Sequence, residues 1–101
     1  MNLDRNGYAP SIVQDDLTSC FRCGRTNTKL DRHEPFGGPL RKKSKNHGMW
    51  LMLCHEPCHL SIAHKDVSEN RRLRKVCQRR AMTVYGWTTD DFIREFGKNE
   101  L

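Results

Sequence analysis

The apolar positions of this chain fall into short, well-separated groups. Ser11-Ile12-Val13-Gln14 is an apolar-centred stretch followed by acidic Asp15-Asp16, which suits a short extended piece within a loosely held leading arm over residues 1–19. Trp50-Leu51-Met52-Leu53 is continuous and apolar, and predicts a buried strand that leads into Cys54. Phe36-Gly37-Gly38-Pro39 is a turn signal that must interrupt any strand containing His33, because glycine and proline break regular structure. Beyond Ala63 the period becomes helical. Leu73, Val76, Cys77, Ala81 and Val84 form one inward stripe with arginines around it, Asp66 ahead of Glu69 supplies a cap, and Gly86 ends the helix in a left-handed turn. Thr88 with Asp91 opens a second, shorter helix whose Phe92, Ile93 and Phe96 face inward, and Gly97 closes it. A short strand pair followed by helices is a small α+β domain.

Composition narrows this. With 101 residues, 36% apolar and 8% aromatic, the chain makes one domain with a thin core, of the kind that needs a staple. Five cysteines can supply one. The apolar run Met49–Cys54 is far short of the roughly 18 residues a membrane span requires, and the N-terminal residues carry no secretory signal. The expected location is therefore the cytoplasm, where thiols stay reduced and spaced cysteines bind metal. Eighteen Lys and Arg against 12 Asp and Glu leave a net charge of +6, which favours a polyanion such as nucleic acid. The cations cluster twice, at Arg41-Lys42-Lys43-Ser44-Lys45 and at Arg71, Arg72, Arg74, Lys75, Arg79 and Arg80. From these, Arg41, Lys42, Lys43, Lys45, Arg72, Lys75 and Arg79 are the candidate nucleic-acid contacts.

The chemistry lies between Cys20 and His64, which hold four of the five cysteines and all five histidines. Cys20-x2-Cys23 and Cys54-x3-Cys58 are two short turns, each able to present a pair of thiolates to one tetrahedral Zn²⁺. Such a centre carries excess negative charge, and Arg22, Arg25 and Lys29 stand nearby to offset it. Cys77, on the helical stripe, is read as packing, and His47 and His55 as exposed. Pinning both turns to one ion makes residues 24–53 run out and return as a hairpin, which brings His33 towards the Cys58-His59 step.

Taken together, Cys20-x2-Cys23, Asp31-Arg32-His33-Glu34-Pro35-Phe36-Gly37-Gly38, Leu53-Cys54-x3-Cys58-His59 and His64 resemble the HNH endonucleases, and more narrowly their small phage-type members. Arg41 through Ser44, Gly48 and Phe96-Gly97-Lys98-Asn99 extend the similarity over most of the chain from residue 11 onward. The resemblance implies an α+β domain over 20–101, with a zinc-stapled ββα-metal core at 20–64 and a helical part at 65–101. It implies a DNA endonuclease that hydrolyses phosphodiester bonds in double-stranded DNA with Mg²⁺ or another divalent cation. In that reading His33, Glu34 and His59 are catalytic, Cys20, Cys23, Cys54 and Cys58 hold structural zinc, and His59, His64 and Asp31 hold the second ion.

Two departures leave alternatives open. Many HNH enzymes have a metal-binding Asp or His just before the base, where this chain has Arg32. Either Asp31, Glu34 or His64 substitutes, or His33 is itself a ligand and Glu34 the base. The middle Asn of the pattern is also missing: Met49 and Trp50 occupy that region, and Asn46 lies a little early. The rival class is an HNH-like zinc module that kept the staple and the basic surface without cleavage, as a nucleic-acid-binding or phage accessory or inhibitor protein.

Overall fold

The computed structural model describes residues 3–101. Strand β1 (Leu30–His33) pairs antiparallel with β2 (Leu51–Cys54), Leu30 standing opposite Cys54 and His33 opposite Leu51. Helices α1 (Arg41–Asn46), α2 (Val67–Tyr85) and α3 (Thr89–Phe96) complete the α+β fold, with a wide, π-type helical segment at His55–Ala63 whose Glu56 is extended. Side chains alternate along a strand. Asp31 and His33 therefore share the face of Leu53 and Leu51, while Arg32 points the other way with Met52.

The connection between the strands contains a helix that the hydrophobic pattern does not announce. A single 3₁₀ turn at Gly38–Leu40 leads into α1, whose sequence Arg41-Lys42-Lys43-Ser44-Lys45-Asn46 has no apolar stripe. Tertiary contacts hold it instead. Buried Ser44 donates to the Phe36 carbonyl at 2.7 Å, and the helix exits at Gly48 in the left-handed region (φ 70°), where a Cβ would collide with the Pro10 carbonyl.

That collision reflects the leading arm, which, expected to be loosely held, is instead docked over residues 7–12. Ala9 N–H donates to the Lys45 carbonyl (2.8 Å) and Ile12 N–H to that of Gly48 (2.9 Å), while the Trp50 indole donates back to Ala9 O (2.8 Å). Tyr8 and Ala9 are buried as a result. A polar arm stays down because its backbone groups find partners there that water would otherwise provide.

The helices follow their caps. Asp66 accepts from Glu69 N–H and Gly86 takes φ 67°, which bounds α2 where the sequence predicts. Thr88 and Asp91 form a reciprocal capping box for α3, and Gly97 closes it at φ 84°. The stripes differ in detail from expectation. Leu73, Cys77 and Ala81 are fully buried, but Val84 is 44% exposed and Ile93 38%. Gln78 takes a buried place because its amide pins the C-terminal segment, donating to Asn99 Oδ1 and accepting from Glu100 N–H, both at 2.8 Å. Phe36, Phe92 and Phe96 join α3 to the interstrand turn with ring centroids 5.1–5.6 Å apart. Truncating Phe92 to Ala would cost about 3–5 kcal/mol. His47, expected to be exposed, instead packs among Tyr85, Trp87 and Phe96. Burial pushes the Cys77 thiol up to about 12, as suits inert packing. Among the described residues, no helix is long and apolar enough to cross a membrane.

Candidate metal centre

The first centre is built by the chain turning twice beside the strand pair. Cys20 and Cys23 come from the loop before β1, where Cys23 N–H points at the Cys20 sulfur (3.4 Å) and Gly24 N–H at the Cys20 carbonyl (2.9 Å). Cys54 ends β2 and Cys58 lies in the following helical segment. The four sulfurs fall within 4.8 Å of one another, with Cys20, Cys54 and Cys58 buried and Cys23 exposed, and none is in a disulfide. Four convergent thiols fit a tetrahedral, all-sulfur zinc site. Burial tends to raise the Cys20 thiol, but the N–H groups of Cys23, Cys54 and Arg22 together bring it down to about 6. Cys58 is pushed up to about 12 by burial and its thiol neighbours, against the pull of Arg22. Arg22 donates to Cys58 Sγ at 3.7 Å and to Glu69 at 3.0 Å, so it offsets thiolate charge while tying the centre to α2. Arg25 and Lys29 contribute backbone carbonyls, to Cys20 N–H and His55 N–H.

The second cluster lies at the other end of β1. His33, His59 and His64 each offer one ring nitrogen, all within 4.8 Å of one another. The Nε2 atoms of His59 and His64 are 3.0 Å apart. Asp31, expected as a ligand, stands behind the trio: its Oδ2 accepts from His59 Nδ1 at 2.8 Å and from His55 Nδ1 at 2.7 Å. That contact puts a proton on His59 Nδ1 and leaves its Nε2 facing His64. Burial raises the Asp31 carboxyl, but hydrogen bonds from His55 and His59 overcome this and hold it below its ordinary range. A carboxylate behind an imidazole whose other nitrogen faces two more imidazoles is the arrangement metal-binding histidines use.

Burial holds the His33 imidazole below its ordinary value of 6.5; the Asn70 hydrogen bond opposes this, His59 and His64 add to it, and Glu34 opposes it. That direction favours the neutral imidazole, the form that binds a cation or takes up a proton. Glu34 is nearby, but its Oε1 accepts from Tyr8 OH (3.0 Å) and Arg41 Nε (2.8 Å). Two of these partners escape a sequence reading, Tyr8 from the arm and Asn70 from α2, which meets His33 Nε2 at 2.9 Å. One signal for Asn70 exists: it is a polar residue at the head of the stripe that continues through Leu73, Cys77 and Ala81.

The trio opens into a cleft of about 300 Å³ lined by Arg32, His33, Glu34, Gly37, Arg41, His59 and His64. Arg32 cannot be a ligand and does other work: it pairs with Asp4 at 3.0 Å and its guanidinium lies 4.2 Å from the Tyr8 ring and 4.7 Å from Trp50. Arg41 also borders a groove of about 600 Å³ with Lys42 and Lys45. Lys43 lies apart, donating to the Glu95 carbonyl. On α2, Arg72 is held by Glu69 at 2.7 Å, Arg79 is exposed and Lys75 half-buried. Of the cations expected to touch nucleic acid, Arg41 lines the histidine cleft itself, while Lys42 and Lys45 line the groove that Arg41 shares. Comparison with protein-family models, curated proteins and solved structures finds no match to this chain.

Proposed function

We propose that the protein is a divalent-metal-dependent DNA endonuclease of HNH type, built on a zinc-stapled ββα-metal core. The observation that carries this reading is the convergence of His33, His59 and His64 in a cleft that shares Arg41 with the cationic groove of α1. The three imidazoles would hold the catalytic ion, which when bound neutralises charge on a phosphate oxygen and on the departing 3′ oxygen. An all-nitrogen set favours an ion such as Zn²⁺ or Ni²⁺ over Mg²⁺, which prefers oxygen ligands. Asp31 keeps His59 oriented from behind. With His33 among the ligands, Glu34 takes the role of base: its Oε1 is engaged by Tyr8 and Arg41, and Oε2 has no hydrogen-bond partner among the described residues. Arg41 spans the cleft and the groove, where with Lys42 and Lys45 it would grip the phosphates of double-stranded DNA, an interaction that gives affinity without base reading.

The test is nicking of supercoiled plasmid in Zn²⁺, Ni²⁺, Mn²⁺ and Mg²⁺. Cleavage abolished by His33→Ala, and reduced at least about 100-fold by Glu34→Gln, supports the enzyme. The second reading, a binding module of phage type without cleavage, draws on one observation: the candidate base is already clasped by Tyr8 and Arg41. DNA retention without nicking in every metal selects that module.

A further inference from the structure

Asn70 reaches His33 from a distant part of the chain. Asn70 lies in the first turn of α2, 37 positions beyond His33, and its Oδ1 is 2.9 Å from His33 Nε2. The orientation of this amide is fixed by its other end. Asn70 Nδ2 donates to the Pro35 carbonyl at 3.3 Å, and a flipped amide would set two oxygens against each other there. Arg74, one turn further along α2, donates to the same carbonyl at 2.9 Å and holds Pro35 in place. Asn70 Oδ1 can only accept, so the hydrogen bond to His33 requires a proton on Nε2. With that proton on Nε2, the ring's available lone pair is the one on Nδ1. No buried polar side-chain atom among the described residues lacks a partner, whereas His33 Nδ1 has none there; Nδ1 therefore reaches the solvent of the cleft.

We propose that Asn70 is a positioning residue that holds His33 in the Nε2–H tautomer and so presents Nδ1 as the lone pair offered to a metal ion. This rests on the reading of His33 as a ligand, but not on cleavage of DNA. The arrangement also explains why β1 and α2 must meet at this point. His59, in the His55–Ala63 segment, receives its orientation from a carboxylate on β1, while His33 receives it from an amide on α2, the helix that follows the metal-binding segment.

The experiment uses the full chain with one equivalent of Zn²⁺, followed by a second equivalent, read by ¹⁵N–¹H correlation of the histidine rings. The expected result is a proton on His33 Nε2 before the second equivalent and a shift of Nδ1 upon its addition. Asn70→Asp keeps an acceptor for Nε2 and retains the tautomer, although its second oxygen loses the donation to the Pro35 carbonyl. Asn70→Leu loses it, giving averaged ring nitrogens and roughly 10- to 100-fold weaker binding of the second ion. Absorption of Co²⁺ at the cysteine quartet reports whether each variant is folded; should Asn70→Leu fail this check, the wild-type and Asn70→Asp spectra decide. A wild-type proton on Nδ1, a metal shift at Nε2, or an Asn70→Leu protein with unchanged tautomer and affinity overturns the assignment. A protein with the expected tautomer that nicks no DNA keeps this inference and removes the nuclease reading.

Discussion

Cys58 and His59 are consecutive residues, yet they serve centres of opposite character. Cys58 is fully buried and joins a sulfur quartet packed into the core, whereas His59 joins a nitrogen trio at an open cleft. Successive side chains in a helical segment point in different directions, so one step along His55–Ala63 is enough to separate them. The difference in donor chemistry explains the difference in setting. Thiols tolerate apolar neighbours and need only a few N–H groups and Arg22 around them. Imidazoles gain from a polar partner behind the ring that fixes the proton, which Asp31 provides for His59 and Asn70 for His33. A closed site suits a staple, and an open one suits exchange with a ligand.

The sharpest way to break this contrast is to remove one member of each centre. Cys54→Ser should abolish cooperative folding, because metal binding in small thiolate domains is worth about 10–16 kcal/mol of apparent stability. A thermal melt like that of the wild type would show that the quartet is not the staple. His59→Ala should leave a cooperative melt, with stability lower by no more than about 1–3 kcal/mol, while tightly bound metal falls by one ion per chain and nicking is lost. Mass spectrometry under native conditions and the plasmid assay read the two effects separately.

Acidification should act on the histidine centre through His33. Its folded value lies below its ordinary 6.5, so the folded state binds fewer protons than the unfolded chain. That contribution to stability is complete above about pH 6.5 and is lost as pH falls through the folded value. Urea titrations between pH 7.5 and 5 should show stability declining with acid, and His33→Gln should flatten the decline. A parallel decline in the variant would assign the effect to other groups. The smallest effect concerns the two cationic clusters. Reversing Lys42 and Lys45 together should lower the salt dependence of DNA binding by about two phosphate contacts, whereas reversing Arg72, already paired with Glu69, should change it little. Equal slopes would mean that α2 shares the DNA face.

Local features of the chain were enough to place several elements. The caps at Asp66 and Thr88, the left-handed glycines at 86 and 97, and the apolar run into Cys54 each act within a few residues, and the elements end where those signals stand. The two cysteine turns and the return of His33 towards His59 also follow from spacing. Other features depended on segments distant in sequence. Helix α1 has no apolar stripe and exists because Ser44 and Gly48 fit against Phe36 and Pro10. The arm is fixed by carbonyls of residues 45 and 48, and Ile93 turns outward because Phe92 and Phe96 already fill the space against Phe36.

What the sequence alone determined, then, is the set of metal-binding residue types and the elements that carry them, since short-range backbone preferences and ligand spacing are written along the chain. Only the tertiary structure decided which groups stand in the trio and which stand behind it. Strand alternation turned Arg32 away from His33, and the meeting of Asp31 with His59 and of Asn70 with His33 spans 28 and 37 positions. A hydrogen bond of that span depends on the direction in which two packed elements arrive, and no local pattern encodes that direction.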